Sequence, residues 1–267
     1  MNSKKTKEQK REQLLQRIKE FRLLDDDFMT KCFENNIECT ELLLHIVMDK
    51  PDLIVKKAQT QYSLKNLQGR SVRLDVYAED SENKKYNVEI QRTDRGAGTR
   101  RARYNSSLID ANTILPGTDV DELPETYVIF ITENDVLGKG KPIYHINRVI
   151  EETGESFGDG SHIIYVNGAY RDDTPLGKLM HDFSCSNPAD MNYKVLAERT
   201  RYFKEDKEGL ESMCKVVEDM INEEVKNEMR EVALRLIKEG TLSLEKIAEC
   251  CQLTVTEVME LEKEETV

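Results

Sequence analysis

The sequence predicts an α/β fold, in which a mixed β-sheet is flanked by helices and followed by an all-helical C-terminal appendage. Segments 72–78 and 86–91 alternate strictly between apolar and polar residues on either side of a polar turn, which is typical of a β-hairpin. Residues 126–132 form a nearly continuous apolar run, which indicates a strand buried on both faces. After Pro175 the periodicity is helical.

Three helices are predicted ahead of the sheet. Residues 5–22 have a charged helical pattern, and the three aspartates at 25–27 form a natural helix start before an apolar-periodic stretch. Thr40 is placed to cap the third helix, which Pro51 ends.

The remaining elements follow the hairpin in the order helix, strands, helices. A helix is predicted over 99–113, and strands are predicted over 143–149 and 162–167. The C-terminal helices are predicted at 175–184, 192–205, 209–239, 243–250 and 254–263. The chain therefore divides into a charged N-terminal helix or tail (1–24), a core with the sheet (25–174), and a helical region with a helix-turn-helix-like end (175–267).

Composition and charge exclude several classes of protein. No run approaches 18 apolar residues, the N-terminus lacks the apolar segment of a secretory signal, and the six cysteines form no CxxC pair. We therefore expect a cytoplasmic protein without a membrane span. The net charge of −12 hides a basic middle, because residues 53–106 contain twelve Lys and Arg against six Asp and Glu.

The polar face of the hairpin carries the candidate chemistry. The register that aligns the apolar faces pairs Val76 with Val88 and Asp75 with Glu89, and it places Gln91 nearby. Two facing carboxylates repel each other unless a cation neutralises them, and Mg²⁺ prefers such oxygen ligands. The alternative is a solvent-exposed polar face in another register, where the carboxylates never meet.

A glycine-containing turn and a basic helix follow Gln91. Gly96 and Gly98 permit close backbone approach, and Thr99 is placed to cap the helix, so this segment could form an anion site. Three arginines in its first turns could contact phosphates without reading sequence: Arg100, Arg101 and Arg103. We expect Arg101 to be held inward against a carboxylate. The alternative is that these arginines pair with acidic surface elsewhere.

Four segments together resemble the PD-(D/E)XK nuclease superfamily, and especially its recombination-promoting nuclease and transposase branch. They are GRSVRLDVYAED, KYNVEIQR, RRARYNSSLIDANTILPGTDVDELPETYVIFIT and LSLEKIAECCQLTVTEVMEL. The resemblance covers the chain from about residue 25 to its end. It implies a restriction-endonuclease-like core over 25–174 that acts on DNA.

The resemblance also implies roles for individual residues. Asp75 and Glu89 match the two motif acids and would hold Mg²⁺ or Mn²⁺, while Gln91 stands where the wider superfamily has a catalytic lysine. A further acid from the first helices is usual in the superfamily, and the candidates are Asp26, Asp27 and Glu41. Arg101, Arg103 and Tyr104 match its basic helix.

The implied function is a metal-dependent DNA endonuclease that hydrolyses phosphodiester bonds and is linked to recombination or mobile elements. The alternative is a non-catalytic nucleic-acid-binding or protein-interaction module on a nuclease scaffold, with Gln91 as the mark of lost chemistry.

The C-terminal helical pair favours packing or a protein partner over DNA reading. Its second helix carries Glu257, Glu260 and Glu262, and no basic residue precedes Lys263 in it. A recognition helix that faces phosphates should not have this charge. We expect the C-terminal helices to support a homo-oligomer.

Overall fold

The computed structural model describes residues 7–66, 69–92 and 94–265. The chain divides into two compact units: Lys19–Leu210 forms one, and Met1–Ile18 combines with Glu211–Val267 in the other. The three-part division predicted from the sequence stays a prediction. Within the described residues, no helix is long and apolar enough to cross a membrane.

One mixed sheet forms the centre of the larger unit. Its strands are β1 (Val55–Leu64), β2 (Val72–Asp80), β3 (Lys85–Gln91), β4 (Thr126–Thr132), β5 (Ile143–Ile146) and β6 (Ser161–Asn167). Their spatial order is β1-β2-β3-β4-β6-β5, with antiparallel pairs at β1/β2, β2/β3 and β5/β6 and parallel pairs at β3/β4 and β4/β6. The predicted mixed sheet is confirmed.

The helices lie before, within and after the sheet segment. They are α1 (Lys7–Glu20), α2 (Asp26–Phe33), α3 (Ile37–Val47), α4 (Thr99–Thr113), α5 (Pro175–Ser184), α6 (Lys194–Glu205), α7 (Lys207–Glu239), α8 (Leu244–Cys251) and α9 (Val255–Glu265). The predicted bounds of α4, α5 and β4 are confirmed, and so is the helical C-terminal region.

The structure contains one strand that was not predicted, ends the strand predicted over 143–149 at Ile146, and places one helix cap elsewhere. β1 was not predicted, because this edge strand buries only its end residues, Val55 and Leu64, and so shows no alternation. Thr40 does not cap α3: it is buried within the helix, and the Asn36 side chain accepts the cap hydrogen bond from the Cys39 N–H at 3.0 Å. An asparagine satisfies the free N–H groups of a first turn as well as a threonine does.

Helix α4 packs across the sheet and so places its first turn at the strand ends. Ala102, Leu108 and Ile109 share a buried cluster with Val128 and Phe130 of β4. Every residue of β4 is buried, which confirms the prediction that this strand is covered on both faces.

The smaller unit contains a helix-turn-helix. Gln252, the C-cap of helix α8, has the left-handed conformation. At the start of α9, the Thr254 hydroxyl accepts a hydrogen bond from the Glu257 N–H, and the Glu257 carboxylate accepts one from the Thr254 N–H. Val258 and Leu261 of α9 are buried in a cluster formed within this unit. The apolar residues of the pair are therefore used for intramolecular packing.

Candidate active site

Strands β2 and β3 diverge where the predicted acids lie. The predicted Val76–Val88 pairing is confirmed, and among the described residues the β2/β3 ladder ends at this pair. Beyond it, β3 continues beside β4 and β2 continues beside β1. The predicted Asp75–Glu89 rung is therefore not part of the ladder. Instead, the Asp75 carboxylate accepts a hydrogen bond from the Ile90 N–H at 2.9 Å and fills the fork.

Both acids are withdrawn from solvent, Asp75 at 7% and Glu89 at 0% exposure. Burial raises the pKa of Asp75, and the charges of Glu89 and Asp26 raise it further. Burial also raises the pKa of Glu89, while Arg101 opposes that rise. The part of the polar face that carries the two acids is thus buried, and the solvent-exposed alternative is wrong for them.

Arg101 is held inward, as predicted. Its Nη2 lies 2.8 Å from Oε2 of Glu89, whereas Oε1 of Glu89 is buried with no hydrogen-bond partner among the described residues. A buried carboxylate oxygen without a partner is costly, so the site favours a further positive ligand.

A cleft of about 860 Å³ opens over the fork and is strongly basic. Among the described residues, five arginines line it: Arg70, Arg73, Arg100, Arg101 and Arg103. Asp26, Asp75, Gln91 and Tyr104 also line it. The structure therefore brings Asp75, the glutamine and the basic helix to one cleft, and the ion pair with Arg101 connects the buried Glu89 to it. Arg70 was missed, because a single arginine before a strand carries no periodic signal.

The three candidates for an additional acid lie in different places. Asp26 lines the cleft, whereas Asp27 does not. Glu41 accepts a hydrogen bond from the Val55 N–H at 2.8 Å, so it fixes the start of β1. Of the three, only Asp26 lies where it could act with Asp75.

Ion pairs fix the start of α2, and with it Asp26. Arg92 contacts Oδ1 of Asp25 at 2.7 Å and Oε2 of Glu133 at 3.4 Å, and Arg22 contacts Oε1 of Glu133 at 2.8 Å. These contacts join the first residues of α2 to the ends of β3 and β4. They hold Asp26 beside the fork.

Gln91 packs against a glycine. A Cβ on Gly96 would lie 1.6 Å from Oε1 of Gln91, so a larger residue there would have to displace the Gln91 side chain. At Gly98 no described atom lies within 4 Å of a Cβ position, and the predicted close approach to an anion there stays a prediction. Gly98, not Thr99, is the N-cap of α4, and no side chain caps the helix.

Two neighbouring polar side chains in the cleft wall differ in their hydrogen bonding. The Tyr104 hydroxyl donates to the Arg70 carbonyl and accepts from Nδ2 of Asn66, which ties α4 to the segment before β2. Asn105 is 1% exposed, and both its amide atoms are without a partner among the described residues. One turn after Arg101, it leaves donor and acceptor capacity at the base of the cleft.

The donor set fits a divalent cation bound by two carboxylates. Within the described ranges, no three His, Cys, Asp or Glu side chains lie close enough together to hold a metal ion. Mg²⁺ usually takes one or two carboxylates and keeps several waters, so a pair of acids with an unpartnered oxygen is sufficient.

An α/β core with acids at a strand fork and an arginine-lined cleft defines the restriction-endonuclease-like class of nucleases. The family model described as PD-(D/E)XK nuclease family transposase matches residues 28–169, just over half of the chain. The chain belongs to this family. No curated protein and no solved structure matches it significantly.

Proposed function

We propose that this protein is a metal-dependent endonuclease that hydrolyses phosphodiester bonds in DNA. The observation that carries the proposal is a cleft lined by Asp75 and, among the described residues, by five arginines, one of which pairs with the buried Glu89. Carboxylates suit a cation, and arginines suit phosphates. Family membership supports the nuclease class, and it favours DNA of recombination or mobile elements as the substrate.

Each part of the cleft has a separate task in this mechanism. Asp75 and Glu89 would hold Mg²⁺ or Mn²⁺, which when bound activates water and stabilises charge on the phosphate. Arg101 pairs with Glu89 and opposes the rise in its pKa that burial causes. The Gln91 amide lies against Gly96 and would orient the attacking water by hydrogen bonding. Because this amide carries no charge, the arginines would stabilise the negative charge on the phosphate.

The second candidate is a DNA-binding module without catalysis. Two observations favour it: Gln91 replaces the superfamily lysine, and Arg101 already neutralises Glu89. Such a module would bind DNA through the same arginines, and its DNA affinity would not depend on the carboxylates.

Plasmid nicking with and without metal distinguishes the two candidates. The endonuclease should convert supercoiled DNA to open circles in Mg²⁺ or Mn²⁺ and not in EDTA, and Asp75→Ala should abolish this. The binding module wins if wild-type protein cleaves nothing in either metal and Asp75→Ala leaves DNA binding unchanged.

Arg103 provides a test of the DNA-binding surface itself. It is exposed on α4 and lines the cleft, whereas the neighbouring Arg101 is paired with Glu89. We expect Arg103→Ala to weaken binding to all duplex sequences and to lower the salt slope by about one unit. Arg101→Ala should impair cleavage or stability more than affinity, because it strips the buried Glu89 of its counter-charge.

Titrations against one duplex at several salt concentrations measure both effects. Arg201→Ala, on α6 and outside the cleft lining, is the matched control and should change neither. An unchanged salt slope for Arg103→Ala would show that α4 does not meet the DNA backbone. The predicted homo-oligomer through the C-terminal helices stays a prediction.

A further inference from the structure

Gln61 on β1 has an unusual backbone conformation. Its φ is +51°, in the left-handed region that non-glycine residues rarely adopt. It lies between the pairs Thr60–Val76 and Tyr62–Leu74, so it sits across from Asp75 in the β1/β2 ladder. Residues held in such conformations cluster at functional sites, because the strain persists only where the surroundings impose it.

The side chain of Gln61 reaches α2. Its Nε2 donates to Oγ1 of Thr30 at 2.9 Å and to Oδ1 of Asp26 at 3.3 Å. The Thr30 hydroxyl donates to the same Asp26 oxygen at 3.4 Å. Both bonds thus restrain one oxygen of Asp26, and neither uses the other oxygen.

The strained residue therefore links the two elements that carry acids. Asp75 lies on β2 opposite Gln61, and Asp26 begins α2 in the cleft wall. Because Asp26 is exposed, its carboxylate would otherwise turn freely in solvent. A residue that only shaped the backbone at this position would not need a long amide side chain that contacts the Asp26 carboxylate.

We propose that Gln61 is a positioning residue that orients Asp26 in the cleft and thereby strengthens binding of the divalent cation at Asp75 and Glu89. The inference rests on the proposed metal-dependent function. A carboxylate fixed near the cation attracts it without binding it directly. Groups that support the direct ligands strengthen other metal sites in the same way.

The test separates a positioning role from a structural one. Loss of a positioning residue weakens Mn²⁺ binding without lowering the unfolding midpoint, whereas loss of a structural residue lowers the midpoint. Gln61→Asn keeps a residue that tolerates the left-handed conformation, but its side chain is one methylene too short to keep the contacts with Thr30 and Asp26. We expect the dissociation constant for Mn²⁺, measured by calorimetry without DNA, to rise about tenfold. The thermal unfolding midpoint in EDTA should stay level or rise.

Gln252 supplies the matched control. It is also a glutamine in the left-handed conformation, at φ +55° and the C-cap of α8, and its side chain is exposed. Gln252→Asn should leave Mn²⁺ affinity unchanged. In an Asp26→Asn background, Gln61→Asn should add no further loss, because the residue that it positions no longer carries a charge.

Three outcomes would overturn the inference. Unchanged Mn²⁺ affinity in Gln61→Asn, with wild-type binding that Asp75→Asn removes, overturns the role of Gln61 and leaves the proposed function standing. A lower unfolding midpoint with unchanged affinity assigns Gln61 a structural role only. A wild-type protein that binds no Mn²⁺ overturns both proposals.

Discussion

Replacing Asp75 by Asn should remove metal-dependent cleavage and leave a folded protein that is at least as stable as the wild type. The loss of activity should exceed about a hundredfold, which is the upper range for residues that merely support metal ligands. The amide is isosteric with the carboxylate but carries no charge to hold a cation. Plasmid nicking in Mg²⁺ and Mn²⁺ measures this loss.

The stability expectation follows from the fork between β2 and β3. Asp75 is buried beside Glu89, so its charge is desolvated and repelled when no cation is bound. An asparagine oxygen can still accept the Ile90 N–H hydrogen bond. We therefore expect the unfolding midpoint in EDTA to rise, as is common where a functional site is strained.

An exposed aspartate gives the control for Asp75→Asn. Asp173, at the end of the loop before α5, is exposed, and Asp173→Asn should change neither cleavage nor the midpoint. Full cleavage by Asp75→Asn would show that the fork does not hold the metal. A midpoint lowered by several degrees would show that the Asp75 carboxylate is needed for folding.

Replacing Lys204 by Met should give the largest loss of stability. The Lys204 side chain is buried, and its ammonium donates to the carbonyls of Lys19, Phe21 and Ser186 at 2.5–2.9 Å. A buried acceptor without a hydrogen bond costs about 1–3 kcal/mol, and methionine leaves all three carbonyls unpaired.

Desolvation of the ammonium opposes the stabilisation by these hydrogen bonds, so the net effect on the free energy of unfolding depends on which of the two is larger. Burial lowers the pKa of Lys204 from 10.5 to about 8, which corresponds to a cost of about 3 kcal/mol. Three unpaired carbonyls at about 2 kcal/mol each exceed that cost, so the free energy of unfolding at pH 7 should fall by about 3 kcal/mol in Lys204→Met. Urea unfolding measures it.

The same lysine predicts a pH dependence. Between pH 8 and 10.5 the unfolded chain keeps the Lys204 proton that the folded chain has lost, so this group makes the folded state more stable as pH rises. The gap in unfolding free energy between wild type and Lys204→Met should therefore widen by about 2 kcal/mol from pH 7 to 9.5.

Lys194→Met, at the exposed start of the same helix, is the control. Its free energy of unfolding should equal that of the wild type at both pH values. A gap that narrows with pH would mean that the ammonium, and not the neutral amine, is the favoured buried form.

Local patterns were enough to determine much of this protein from its sequence. The bounds of β4 and α4 and the Val76–Val88 register were predicted, because apolar periodicity and burial act over a few neighbouring residues. The inward position of Arg101 was also predicted, since helix geometry separates it from Arg100 and Arg103.

Other features were decided only by the tertiary structure. The divergence of β2 from β3 at Asp75 arises because β3 continues along β4 while β2 continues along β1, which no local pattern contains. Likewise, Asp26 and Asp27 are equivalent in sequence, and only the contacts of α2 with Gln61 and the ion pairs at Asp25 place Asp26 in the cleft. β1 is an edge strand whose side chains need not alternate, so its pairing partner, not its own sequence, made it a strand.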